Sequence, residues 1–170
     1  MQNLFYLMCG FSLLGVLDVG YFHIYRFRLY KQVSSRGEQI THLFREILFL
    51  TILLWVMFVH AQGVYALVLP LLLLADLINS LTDVLLEPKS RSSLGGIPPL
   101  EYLIHMLTML VSGAIIALAV RETLKVISLK PEWSVELLTL PRPAAGFGLQ
   151  VILITIGLFL FETILFMRGK

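Results

Sequence analysis

Charged side chains are scarce in this chain of 170 residues, since Asp, Glu, Lys and Arg together make up only 14% of it. Soluble domains carry about 25% charged residues. Hydrophobic residues account for 58% of the sequence and the mean hydropathy is +0.86. A soluble domain of this size could not bury that much apolar surface. The net charge of only +2 also gives no reason to expect a nucleic-acid partner.

The chain also has little cysteine and no basic region at its N-terminus. Cys9 is the single cysteine, which excludes an intramolecular disulfide and argues against a cysteine-based metal cluster. No basic residue precedes the first apolar run, "MQNLFYLMCG". This start therefore predicts a retained first membrane span rather than a cleaved signal peptide.

Long apolar runs recur along the chain, and they predict an all-α integral membrane protein with a bundle of about five transmembrane helices. The predicted spans are residues 4–25, 39–59, 65–86, 100–120 and 149–167. Pro88 and the "GGIPPL" stretch are expected to end the third helix and begin the fourth. The sequence "KPEWSVELL" (130–138) predicts a short interfacial helix in the longest connection, with Trp133 as its anchor.

The basic residues give the orientation. Nine of the thirteen lie at the ends near residues 26–45, 87–91 and 168–170, and four lie on the other side. The positive-inside rule then places the N-terminus outside and the C-terminus in the cytoplasm. A bacterial inner membrane is the expected location.

Acidic and histidine side chains occur inside four of these spans at a similar depth below the cytoplasmic surface, at about 1.5 Å per residue. Glu38, His42 and Glu46 form one row at four-residue spacing. A polar stripe on the third span contains Asp76 and Asp83, and such a stripe faces protein or water rather than lipid. The first span contributes Asp18 and His23, and the fourth begins with Glu101 and His105.

The first span fits a common site less well than the others. In an α-helix Asp18 and His23 would lie about 140° apart around the axis. The sequence therefore leaves open whether the two side chains share one set of ligands.

A short internal repeat links the second and fourth spans. "SSRGEQITH" (34–42) and "SSLGGIPPLEYLIH" (92–105) both read Ser-Ser-x-Gly followed by Glu-x-x-x-His. Each follows a span with an intramembrane Asp and opens a span that leaves the cytoplasm. The repeat predicts two tandem helical hairpins, related by an axis along the membrane normal, plus a C-terminal helix.

A divalent metal would offset so many carboxylates, because imidazole and carboxylate are suitable ligands for such ions. We expect the two Glu-x-x-x-His pairs to be half-sites of one di-metal centre, with Arg45 and Glu162 orienting the ligands. The Glu-x-x-His signature of soluble di-iron bundles is absent. The predicted ligands are Asp18, His23, Glu38, His42, Glu46, Asp76, Asp83, Glu101 and His105.

Several functions are compatible with this inventory. The first is a di-iron-type oxidoreductase that acts on a lipid or other apolar substrate with a redox partner. Manganese is an alternative to iron as its metal. A zinc-dependent membrane hydrolase, a divalent-cation or proton carrier and a b-type haem protein are the others. The apolar halves "FLTILLWVMFV" and "MLVSGAIIALAV" favour a one-sided site over a path through the membrane.

Two structural interpretations stay open beside these functions. Glu38 and Glu101 lie near helix N-termini, where solvated acids interact favourably with the helix dipole. The ionisable groups could also form plain ion pairs, such as Arg45 with Glu162, that hold the bundle together.

Overall fold

The computed structural model describes residues 1–136 and 140–169, and five long helices contain most of them. The helices are α1 (Gln2–Val16, continued by a π-helical segment, Leu17–Arg26), α2 (Arg36–Phe58), α3 (Val68–Ser90), α4 (Pro99–Val126) and α5 (Arg142–Arg168). Single 3₁₀ turns cover Leu29–Lys31, Val33–Ser35, Gly63–Leu67 and Ser92–Leu94. All five helices are long and apolar enough to cross a membrane. The prediction of an all-helical fold with five such helices is confirmed.

The bundle interior is apolar at one end and polar at the other. α1 packs against α4, and α2 packs against α3 and α5. Side chains such as Phe5, Leu53 and Ala119 are fully buried at the apolar end. The opposite end, here called the polar end, buries nine acidic and histidine side chains of the first four helices, namely Asp18, His23, Glu38, His42, Glu46, Asp76, Asp83, Glu87 and Glu101. This separation keeps the ionisable groups together, away from the apolar half.

The second half of the first helix is π-helical, which the sequence analysis did not foresee. Its backbone N–H groups bond five residues back, as Phe27 does to the carbonyl of Phe22 at 2.9 Å. The wider turn stacks side chains at i and i+5, whereas an α-helix separates them. Asp18 and His23 therefore lie on one face, and the 140° separation of an α-helix does not apply to them.

Two predicted boundaries are also corrected. α3 continues past Pro88 to Ser90, because a proline removes one helical hydrogen bond without ending every helix. The segment predicted as an interfacial helix instead contains a strand, β2 (Trp133–Val135), paired antiparallel with β1 (Val59–Ala61). Its last part, residues 137–138, lies outside the described residues.

Gly63 follows β1 and has a φ of +58°. A Cβ at this position would lie 2.8 Å from the Leu129 carbonyl oxygen and 2.8 Å from Pro131 Cα. We expect Gly63→Ala to lower the unfolding free energy by at least about 1–2 kcal/mol, the usual penalty of a left-handed backbone. Denaturation in mixed micelles would measure it. Gly113→Ala is the control, since no atom lies within 4 Å of its Cβ, and equal stability of the two variants would contradict the prediction.

Candidate metal centre

His23 lies among three carboxylates at the polar end. Its Nε2 atom is 3.6 Å from Asp18 Oδ1, 3.8 Å from Glu38 Oε1 and 3.3 Å from Glu101 Oε1. The π-helical segment brings His23 over Asp18, and the first turns of α2 and α4 supply the two glutamates. One imidazole thus contacts acids from three helices.

Glu38 and Glu101 are the most deeply buried carboxylates of this group, with 1% and 0% of their surface exposed. Both stand in the first turn of their helices, as the sequence analysis placed them. Their burial does not fit the alternative of solvated residues at helix ends. They face the interior of the bundle.

Arg91 joins these two glutamates and was missed as a site residue. Its Nη2 atom lies 3.0 Å from Glu38 Oε1 and donates a hydrogen bond to Glu101 Oε1. The guanidinium is 1% exposed and lies 5.2 Å from the centroid of the Phe27 ring. Oε2 of both glutamates is buried and has no hydrogen-bond partner among the described residues. Arg91 therefore hydrogen-bonds Oε1 of Glu101 and makes an ion-pair contact with Oε1 of Glu38, and both oxygens of Glu38 and Oε2 of Glu101 are left without a hydrogen bond within the described part of the chain.

His105 has a carboxylate at each ring nitrogen. Its Nε2 lies 3.1 Å from both oxygens of Asp18, and its Nδ1 lies 2.9 Å from Glu87 Oε1. Glu87 is not among the ligands predicted from the sequence. A ligand histidine that donates its second N–H to a carboxylate is the usual support of a metal site. The contacts of His105 match that pattern.

His42 has its own carboxylate partner on the other side of His23. Its Nε2 is 3.4 Å from Asp83 Oδ2, and its ring centroid is 4.4 Å from that of His23. Asp83 also accepts hydrogen bonds from the Thr41 hydroxyl at 2.5 Å and from Arg45 Nη2 at 3.3 Å. These contacts fix the Asp83 carboxylate against His42.

The described residues contain two groups that could each hold a metal ion. The first is Asp18, His23, Glu101 and His105, and the second is His23, Glu38 and His42. Within each group one ligand atom per residue lies within 4.8 Å of the others. Bonds of about 2.0–2.2 Å place two ligands of one ion up to about 4.4 Å apart, so small side-chain movements would close either shell.

The charges of this cluster do not balance without added cations. Ion-pair contacts and the His23–His42 ring contact link five carboxylates, two arginines and three histidines in the described part of the chain. With neutral histidines the carboxylates exceed the arginines by three. Buried charges left without partners are strongly destabilising. Three protons, or a divalent ion and one proton, would neutralise the cluster.

Three predicted residues lie beside the cluster rather than in it. Both carboxylate oxygens of Glu46, and Oδ1 of Asp76, are buried without a hydrogen-bond partner among the described residues. Glu162 of α5 lines a small cavity with His23 and His42. None of the three belongs to either ligand group.

The donor atoms could hold a divalent metal, because mixed imidazole and carboxylate ligands suit iron, manganese and zinc. Glu87, Asp83 and Arg91 stand where they could orient the ligands. Comparison with protein-family models, with curated proteins and with solved structures found no match for this chain.

Proposed function

We propose that the five helices insert in a membrane and that the polar end holds a dinuclear divalent-metal centre near the cytoplasmic face. The centre would serve a di-iron-type oxidoreductase that acts on a lipid or other apolar substrate with electrons from a redox partner. One observation carries the proposal. Each Glu-x-x-x-His pair falls in a different ligand group, Glu101 with His105 and Glu38 with His42, and the groups meet at His23, whose Nε2 could bind either ion but only one at a time.

The contacts between helices support two half-sites. α1 lies against α4 while α2 lies against α3, as expected if tandem hairpins are related by an axis along the bundle. Such an axis would superimpose the α1–α2 hairpin on the α3–α4 hairpin. The contact of His105 with Asp18 would then correspond to the contact of His42 with Asp83. The two hairpins would then each supply one Glu-x-x-x-His pair and one aspartate.

Arg91 is compatible with bound metal in this arrangement. It lies against Oε1 of both glutamates, and Oε2 of each has neither an ion pair nor a hydrogen bond among the described residues. A metal would take Oε2, and the guanidinium would keep each carboxylate oriented. Two divalent ions would also supply more positive charge than the excess of three carboxylates requires, so the histidines would bind as neutral ligands.

The apolar end favours an enzyme over a carrier. A carrier needs polar groups that continue across the bundle, whereas the other end is packed with buried Phe5, Met8, Leu53 and Met57. A one-sided site suits chemistry on a molecule that arrives from one leaflet. A zinc-dependent hydrolase, with metal-bound water as the nucleophile, shares this feature and is the second candidate.

Elemental analysis of protein purified in detergent without added metal tests the proposal. We expect about two irons per chain, the content of a two-metal site. One zinc per chain would favour the hydrolase. The His42→Ala/His105→Ala double variant, purified in parallel, measures adventitious metal, and equal contents in the two preparations would refute the metal centre.

The topology is a separate prediction. Two of the nine basic residues on the polar side, Arg45 and Arg91, are engaged in ion pairs inside the bundle. That leaves seven basic residues on the polar side, including Lys170, which lies outside the described residues, and four on the other side. This difference still favours a cytoplasmic polar end. We expect green fluorescent protein fused after Lys170 to fluoresce and alkaline phosphatase fused there to be inactive. The reverse pattern would invert the orientation.

A further inference from the structure

A groove between α3 and α4 reaches the candidate metal centre from the side of the bundle. Its volume is about 320 Å³, at the lower end of the range for small-molecule sites, about 300–1,000 Å³. Val84, Met106 and Met109 line its outer part, and Asp18 and His105 lie at its inner end. The groove therefore joins an apolar channel to metal-ligating side chains.

His105 is the histidine that this groove exposes. Its side chain is 20% accessible, against 4% for His23 and 5% for His42. Tyr102 and Met106 at the rim are more than half exposed, on helix surfaces that would face lipid. A molecule dissolved in the membrane could thus reach His105 without passing through water.

The charges at the inner end restrict the polar group that can enter. Asp18, Asp83 and Glu87 line it together with a single arginine, Arg45, which is already paired with Asp83. Without bound metal, a fatty-acid carboxylate or a phosphate would be repelled by these acids. A divalent ion held by Asp18 and His105 would bring the net charge of the four side chains only to zero, so an anion would find no net positive charge at this end. An alcohol, ester or amide is uncharged and needs none.

Building on the proposed function, we infer that the substrate is a single-chain amphiphile whose reacting polar group is uncharged. Its hydrocarbon chain lies between α3 and α4 along Val84, Met106 and Met109. Its polar group points towards His105 and Asp18. This assigns the α3–α4 groove as the access route from the membrane.

Photolabelling in phosphatidylcholine nanodiscs tests the inference. The probes are dodecanol and dodecanoate, each with a diazirine on the chain, and labelled positions are mapped by mass spectrometry. We expect dodecanol to label Val84, Met106 and Met109 several-fold more than Leu153, which is 69% exposed on α5. Dodecanoate should show no such preference.

A matched pair of variants completes the design. Met109→Trp fills the groove, so dodecanol should label Val84 and Met106 no more than it labels Leu153 on α5. Leu153→Trp should leave the labelling of the groove residues unchanged. Uniform labelling by dodecanol, or preferential groove labelling by dodecanoate, would overturn the inference. Metal content measured on the same samples separates the two proposals, because groove labelling without bound metal refutes only the metal centre.

Discussion

Replacement of Arg91 by methionine is expected to lower the unfolding free energy by about 3–5 kcal/mol, the usual effect of breaking a buried ion pair. The guanidinium is fully buried between Glu38 and Glu101. Its removal leaves both carboxylates without their cation inside the bundle. Methionine keeps most of the volume, so the loss measures charge rather than packing. Unfolding in mixed micelles at neutral pH gives the value.

The control for Arg91→Met is Lys89→Met, which removes the same charge from an exposed position two residues away. That variant should change stability by less than about 0.5 kcal/mol, as surface substitutions usually do. Adding Glu38→Gln and Glu101→Gln to Arg91→Met should restore part of the loss, because it removes the charges that the arginine balances. Equal stabilities of Arg91→Met and Lys89→Met would show that Arg91 does not hold the polar end together.

Loss of His23 is expected to have a large effect on metal binding. His23 belongs to both ligand groups, whereas His42 and His105 each belong to one. One imidazole nitrogen binds one ion at a time, so His23→Ala should weaken whichever of the two positions His23 serves by more than the roughly 10–100-fold typical of outer-shell changes. His42→Ala and His105→Ala should each weaken one position and retain metal at the other.

His60→Ala is the control for the three histidine variants. This exposed residue lies in β1 at the apolar end, with Gln62 Nε2 3.3 Å from its ring nitrogen. Metal titration of purified protein, with helical content checked by circular dichroism, gives the comparison. Full metal content in His23→Ala would exclude His23 as a ligand, and loss in His60→Ala would point to a different site.

Composition and periodicity were sufficient for the helices and for the depth of the polar groups. Runs of Leu, Val, Ile and Phe mark the long apolar helices, and a rise of about 1.5 Å per residue converts position into depth. The four-residue spacing of Glu38 with His42, and of Glu101 with His105, placed each pair on one helix face. The structure gathers both pairs around His23.

Three features depended on information that periodicity does not contain. The 140° separation of Asp18 and His23 assumed α-helical geometry, and the π-helical segment removes it. Arg91 follows Pro88 in a polar stretch that resembles a solvated loop, but α3 continues through Ser90 and points Arg91 inward.

The third feature is the ribbon at the apolar end. Trp133–Val135 forms a strand because Val59–Ala61, distant in sequence, offers an edge to pair with. Strand pairing of this kind depends on tertiary context more than on local propensity. The same limit applies to Glu46 and Asp76, whose depth was predictable but whose direction relative to other helices was not.

Anomalous X-ray scattering from crystals of protein loaded with manganese or iron would locate the proposed ions. We expect two peaks at the polar end, separated by about 3.5–4 Å as in two-metal sites. One would lie among Asp18, His23, Glu101 and His105, and the other beside Glu38 and His42. Crystals of metal-loaded protein with no peak among these side chains, or with peaks only elsewhere in the molecule, would contradict the proposed metal centre.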